Sequence, residues 1–355
     1  MKILLLGELS GLHSNLQDGF RALDHECTVI GDGDAWKNIP VQIDITPYFS
    51  GLLGYLERRI RLLRVLSIAK KFDVVQIIAP FLFKMRFFPT LWFFRKLKEQ
   101  NGALFMLSCA SDPMYWQIGA KKLSYTPFQD AIKYDFAKGE TSIFASAEAM
   151  EFQLKVIDIV DGIIPANYDY RVSYEDFPKT RSMIPMPLNF NKVQYHPNII
   201  SGKIRVLHGL TRYGMKGTRH IEKAFEILEM RHPGTFDFTI TGRVAFKDYM
   251  LILENCNILV DQTNCHSSGM NALYAMAMGK IVLGGAEPAS FEHYQVQEMP
   301  LLNIRPSADS IVEVFELLLN KKDQFESLGL ESRKFIETIH SHKRIASMYL
   351  SEWQK

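Results

Sequence analysis

Short, largely apolar runs alternate with longer amphipathic stretches along this chain, and the alternation begins afresh after residue 190. Lys2–Leu6, Cys27–Ile30, Val74–Ile78, Ala103–Leu107, Gly162–Pro165 and Ser182–Pro185 read as strands. Helical patterns separate them at Ser14–Leu23, Gly51–Lys71, a stretch after Pro80 carrying Trp92, Phe93 and Phe94, and Ser142–Asp158. Strands with no polar face are covered on both sides, and strands joined through helices run parallel. In the second half Ile204–Leu207, Phe236–Thr241, Asn257–Val260 and Ile281–Leu283 read as strands. Thr218–Arg231, Asp248–Glu254, Asn271–Met278 and Ser307–Asn320 read as helices, with helical pattern continuing to the end. Pro185–Gly202 holds three prolines and no periodicity, and reads as the linker. A chain of 355 residues exceeds what one core usually supports, so two doubly wound Rossmann-like domains are expected. Their bounds are 1–188 and 189–335, with a terminal helix, 336–355, expected to cross back to the first domain.

Composition removes several classes. Hydrophobic residues make up 47% and charged residues 23%, which excludes a disordered chain. Lysine and arginine exceed acidic residues by only two, so global charge gives no reason to expect a nucleic-acid partner. Cys27, Cys109, Cys256 and Cys265 are too scattered for a zinc pattern or a disulfide framework, and fit a reducing cytosol. Met1–Gly7 is too short an apolar run for a secretory segment. Val74–Phe94 carries Lys84, Arg86, Pro80 and Pro89, which argues against a membrane span.

Two loops in the second half have the chemistry of anion sites. Leu207–Gly217 (LHGLTRYGMKG) runs from a buried strand to a helix through Gly209, Arg212, Gly214, Lys216 and Gly217. Glycines let backbone approach an anion, and Arg and Lys supply charge-assisted bonds. A solvated basic turn would use the same letters. Asp261–Gly279 (DQTNCHSSGMNALYAMAMG) then places Ser267, Ser268 and Gly269 ahead of a helix opening at Met270 or Asn271. A helix N-terminus offers unpaired amides and partial positive charge, which suits a diphosphate. Both loops follow strand ends, where open parallel sheets bind ligands.

The second half resembles the donor-binding domain of GT-B glycosyltransferases, in particular the large retaining family four. Arg212 and Lys216-Gly217 match that family's basic loop, and Ala275-Met276-Ala277-Met278-Gly279 matches the tail of its Glu-x7-Glu segment. Asp161-Gly162-Ile163-Ile164 and Ile184-Pro185 are compatible with its first domain. The resemblance implies a GT-B fold and transfer of a sugar from a nucleoside-diphosphate sugar to a glycan or lipid-linked saccharide acceptor, as in bacterial surface polysaccharide synthesis. Where the family has its two glutamates, this chain has His266 and Tyr274. The second glutamate of the family holds the donor ribose; a tyrosine hydroxyl is a different kind of partner. The Arg–Lys spacing is one residue shorter than the family's. Ser108-Cys109-Ala110-Ser111-Asp112 stands where the family has a histidine loop.

Expulsion of a diphosphate needs fixed cations and amides. Arg212, Lys216 and the amides of Ser268–Asn271 are the candidates. No essential divalent ion and no cofactor beyond the donor substrate are expected; Asp32-Gly33-Asp34 reads as a turn. Asp112 is the first candidate base for an inverting reaction, although Asp before Pro113 is also a helix-entry pattern. His13, in the loop after the first strand with Gly11, is the second, on the acceptor side. Gly242 and Arg243 are placed beside the nucleobase, and Glu287 beside a sugar or ribose hydroxyl.

One region carries charge out of proportion to the whole. Between Gly51 and Lys98 there are eleven cations, from Arg58 to Lys98, against Glu57 and Asp73 alone, interleaved with aromatic residues that include Phe81, Phe83, Phe87, Phe88, Trp92, Phe93 and Phe94. Basic and aromatic residues together suit an anionic membrane surface, and predict a peripheral protein at the inner face of the cell membrane. A helix with a solvated basic face has the same composition. A catalytically inert GT-B-like nucleotide- or glycan-binding subunit is the alternative function. A nicotinamide-dependent oxidoreductase is disfavoured, because no Gly-x-Gly-x-x-Gly follows either leading strand.

Overall fold

The computed structural model describes residues 1–135, 142–294, 296 and 298–355. The first sheet contains β1 (Lys2–Leu6), β2 (Glu26–Gly31), β3 (Ile43–Asp44), β4 (Val74–Ile78), β5 (Ala103–Ser108) and β6 (Gly162–Pro165), in the order β3-β2-β1-β4-β5-β6. The second contains β7 (Ile204–Gly209), β8 (Phe236–Thr241), β9 (Ile258–Val260), β10 (Ile281–Gly284) and β11 (Leu302–Asn303), in the order β11-β10-β9-β7-β8. The pairings in both sheets are parallel. Central strands such as β4 are buried at every residue, which is why they read as largely apolar runs, with Gln76 the one polar residue of β4. β8 lies at an edge and alternates, leaving Ile240 partly exposed.

The expected strand over Ser182–Pro185 is corrected. Ile163 bridges Thr180 and Ile184 donates its amide to Pro165, but Pro185 and Pro187 carry no N–H with which to extend a ladder. The linker is nevertheless fixed. Ile184, Met186 and Leu188 are buried, and Leu188 exchanges backbone hydrogen bonds with His340 and His342. The two passages of the chain between the domains therefore run side by side. The terminal helical stretch breaks there, into Phe325–Ile339 and His342–Trp353. The last helix packs on Leu12–Arg21 of the first domain, with Trp353 stacked on Phe20 at 5.2 Å between centroids. Gly19 makes this possible: a Cβ there would lie 2.9 Å from Ala346 Cβ and collide with the His342 backbone.

Each sheet reverses its strand order once. In the first the switch lies between β1 and β4, in the second between β7 and β9. The cleft between the domains is lined from the first domain by the loops leaving β1, β2, β5 and β6, and from the second by the loops leaving β7, β8 and β9. Among the described residues no helix is long and apolar enough to cross a membrane.

Candidate functional site

The cleft encloses a cavity of about 290 Å³. Its second-domain wall is built by the loops after β7, β8 and β9. Gly209 ends β7, and the chain then turns through a short helix, Tyr213–Lys216. Gly217 closes the loop at φ +68°, a conformation that glycine adopts without strain, with Thr263 and Asn264 packed against its Cα. Arg212 and Lys216 both line the cavity. Arg212 is half-buried and has no carboxylate partner among the described residues. Lys216 is paired: its Nζ lies 2.5 Å from Asp261 Oδ1, which also accepts from Asn271 Nδ2 at 2.8 Å. The other oxygen, Asp261 Oδ2, is buried without a hydrogen-bond partner.

After β9 the chain reaches Gly269, and the helix Met270–Ala277 begins with no side chain capping it. Gly269, Met270 and Asn271 line the cavity, so amides of that first turn face the space beside Arg212. Ser267 lines it as well, but its amide is spent. Asp169, from the first-domain helix Tyr168–Tyr174, accepts the amides of His266 at 3.1 Å and Ser267 at 2.9 Å, together with the Ser267 hydroxyl. Asp135 does the same to the other loop, accepting from Gly214 at 3.1 Å and Met215 at 2.9 Å. Two first-domain carboxylates thus occupy backbone donors in both loops that read as anion cradles. What remains for a ligand is Arg212 and the start of the helix at Met270.

Other expected site residues take different places. His266 does not line the cavity; its ring stacks on Tyr125 at 4.0 Å and its Nε2 lies 2.9 Å from Ser124 Oγ. Ser268 is buried behind the loop. Tyr274 reaches the cavity wall, yet its hydroxyl accepts from Asn15 Nδ2 at 3.0 Å, with the Ser10 carbonyl at 3.4 Å. It joins the domains beside Gly11, whose lack of a Cβ leaves room for that hydroxyl: a Cβ there would collide with it. Gly242 lines the cavity, whereas Arg243 turns back to donate to the Thr211 carbonyl at 3.2 Å. Glu287 does not line the cavity. Its carboxylate binds Arg305, Asn303 and Tyr125. The Arg305 guanidinium holds its pKa down to about 2 despite partial burial.

Neither candidate base faces the cleft. Asp112 Oδ1 accepts the Tyr115 amide at 2.9 Å, as a helix-entry residue does, and Oδ2 accepts the Tyr174 hydroxyl at 2.5 Å. It borders a separate side cavity of about 10 Å³, and burial raises its pKa to about 6. His13 is fully buried in the helix Leu12–Arg21 between the Gly7 carbonyl and Gln76, and burial lowers its pKa to about 4. Asp32 and Asp34 are engaged by Arg58 and by Lys37 with Ser10.

Several cavity residues escaped the sequence reading, Asp261, Asp169, Trp36 and Lys37 among them. Asp261 directly follows β9, and Asp169 sits just past β6 behind the cap Asn167; both strand ends were visible signals. Trp36 and Lys37 line the first-domain wall just after the Asp-Gly-Asp turn. No local pattern marks them.

Two doubly wound sheets with their carboxyl ends opposed, and a terminal helix returned to the first domain, define the architecture. The chain has the GT-B fold. Superposition on sucrose-phosphate synthase from Thermosynechococcus elongatus covers 100% of this chain and 98% of that one, with a TM-score of 0.62 and 13% identity. HepE of Anabaena, in complex with UDP and glucose, gives 0.60 over 99% and 98% at 12% identity. UDP-GlcNAc 2-epimerase from Neisseria meningitidis, bound to UDP-GlcNAc, gives 0.53 over 100% of both chains at 10% identity. No family model and no curated protein sequence matches the chain.

Proposed function

We propose that this protein is a glycosyltransferase. It takes a sugar from a nucleoside-diphosphate sugar bound at the second-domain wall and passes it to a glycan or lipid-linked saccharide entering from the first domain. The observation that carries the reading is the convergence of Arg212 and the uncapped start of Met270–Ala277 on one cavity, at the switch point of the second sheet. A guanidinium and a helix terminus together match a diphosphate and stabilise it as it departs. HepE, of the same fold, is described in complex with UDP and with UDP-glucose, which supports this ligand class.

Asp261 answers for the lost glutamate. Its unpartnered Oδ2, on a cavity-lining residue next to Lys216, is an acceptor for a donor hydroxyl. Lys216 then serves the site by holding that carboxylate and adding positive potential near the diphosphate. With Asp112 and His13 out of reach, the reading favours a transfer in which the departing diphosphate oxygen takes the acceptor proton, without a protein base and without a metal. Polysaccharide assembly is the setting that suits such an acceptor.

A second reading, an inert nucleotide- or glycan-binding subunit, is favoured by one observation: His266 and Tyr274, at the family's two glutamate positions, spend their polar groups on the first domain. Incubation with UDP- and GDP-sugars and a saccharide acceptor separates the two. Nucleotide release that rises with acceptor and falls with Arg212→Ala supports transfer; tight binding without release supports the inert subunit.

A further inference from the structure

The helix Gly51–Ile68 is apolar on two opposite sides. Gly54, Leu62, Val65 and Leu66 face the first-domain core. On the other side Leu52, Leu53, Leu56, Ile60 and Leu63 recur at helical spacing and are all exposed, Leu52 to 74%. Tyr48 and Phe49 extend this stripe beyond the helix start, and both are exposed. The turn is tied down by Glu57, which accepts the Tyr48 amide at 2.7 Å and the Phe49 amide at 3.2 Å. Such a stripe costs solubility unless something covers it.

Its neighbours say what does. Phe87 is 75% exposed and holds φ at +58°, a strained value for an aromatic residue. The Arg59 side chain fixes it there, donating to the Phe87 carbonyl at 2.6 Å. Arg86 lies over the Phe87 ring at 4.7 Å. Arg59 and Arg64 flank the helical stripe on either side. None of these three arginines has a carboxylate partner among the described residues, while Arg58 and Arg61 of the same helix are paired. An apolar ridge bordered by unpaired cations complements a surface that is anionic outside and apolar within. A second copy of the chain would instead set these arginines against themselves.

From this we infer that the ridge from Phe49 to Leu63, with Phe87, seats the protein on an anionic lipid bilayer. The ridge starts at the carboxyl edge of the first sheet, the edge that borders the cleft, since Tyr48 follows β3 and Phe87 follows β4. Docking there presents the cleft mouth to the bilayer, which suits the lipid-linked form of the acceptor; that last consequence rests on the proposed function, the docking itself does not.

Flotation of the full chain with phosphatidylcholine vesicles, and with vesicles containing about one-third phosphatidylglycerol, tests it. The wild type is expected to float with the anionic vesicles only. Leu52→Ser/Leu56→Ser/Ile60→Ser and, separately, Arg59→Gln/Arg64→Gln should each lower the bound fraction about tenfold. These positions are outward-facing, and unchanged circular dichroism and UDP calorimetry verify that each variant is folded. Equal flotation with neutral vesicles, no flotation, or variants that bind like wild type would overturn the proposal. So would a wild-type dimer in sedimentation velocity that the serine variant dissolves. UDP binding without flotation would leave the transferase reading standing and remove this one; flotation without UDP binding would do the reverse.

Discussion

Asp169 Oδ2 accepts the backbone amide of Ser267 at 2.9 Å, joining a first-domain helix to the loop after β9 across the cleft. Asp135 makes the matching contact to Gly214 and Met215 in the loop after β7. Both carboxylates are almost fully buried. Charge-assisted bonds of this kind are strong, and removing the acceptor leaves buried amides unpaired. Asp169→Ala should therefore lower the unfolding free energy by about 2–4 kcal/mol, and Ser267→Ala by about 1 kcal/mol. Chemical denaturation measures both. An Asp169→Ala change within about 0.5 kcal/mol of wild type would show that the contact does not hold the domains together.

Arg212 and Lys216 differ in what their loss leaves behind. Arg212 has no carboxylate partner among the described residues, so Arg212→Ala should keep the melting temperature and weaken UDP or GDP binding by roughly 10–100-fold. Lys216→Ala strands the carboxylate of Asp261, 1% exposed, and should cost on the order of 3 kcal/mol of stability besides affinity. Lys216→Met with Asp261→Asn should recover most of the stability and none of the affinity. Paired melts and calorimetry decide it.

Stability should fall on the acid side. Burial lowers the pKa of His13, His208 and His340 to about 4. Between pH 6.5 and 4 the unfolded chain binds protons that the folded chain refuses, so each contributes stability that is present above pH 6.5 and lost as pH falls, on the order of 2–3 kcal/mol by pH 4. Asp112 acts oppositely: burial raises its pKa to about 6, so its contribution is lost as pH rises from about 4 to 6. His293 is lowered likewise, and these four histidines outweigh Asp112 and Glu8, whose carboxyl burial also raises, so the midpoint of unfolding should drop between pH 7 and 4.5. Asp112→Asn should deepen that drop by removing one opposing group. A flat profile would contradict the buried neutral histidines.

What the sequence made legible followed from burial on both faces. Val74–Ile78 and Ala103–Leu107 are buried on both faces and almost wholly apolar, so their strands were readable, whereas Ile43–Asp44 and Leu302–Asn303 are two-residue edge strands with no pattern to see. Arg212, Lys216 and the helix start at Met270 were legible as cavity residues because both loops follow strand ends at the switch point of the second sheet. The fates of His266, Tyr274 and Glu287 were not. Their partners, Ser124, Asn15 and Tyr125, lie more than 100 residues away, and only the docked domains bring them together. His13 and Asp112 lie off the cleft for a related reason: each follows a strand end in sequence, yet the fold buries His13 against Gly7 and Gln76 and Asp112 against Tyr115 and Tyr174.

Gly19 sets the return of the terminal helix. Gly19→Leu should push His342–Trp353 off the first domain, breaking the Phe20–Trp353 stack and lowering Tm by several degrees, roughly the effect of 2 kcal/mol or more. Gly102→Ala, also a tight glycine but remote from that helix, should leave Trp353 fluorescence unchanged. A Gly19→Leu variant with wild-type Tm and emission would mean that the helix does not pack there.

The account depends on where a nucleoside diphosphate binds. A crystal of the full chain soaked with UDP or GDP measures it directly. The predicted result is a diphosphate between the Arg212 guanidinium and the amides of Met270 and Asn271, with Asp261 turned toward a ligand hydroxyl. A nucleotide lodged outside this cleft, or a cleft that stays empty at saturating nucleotide, would contradict it.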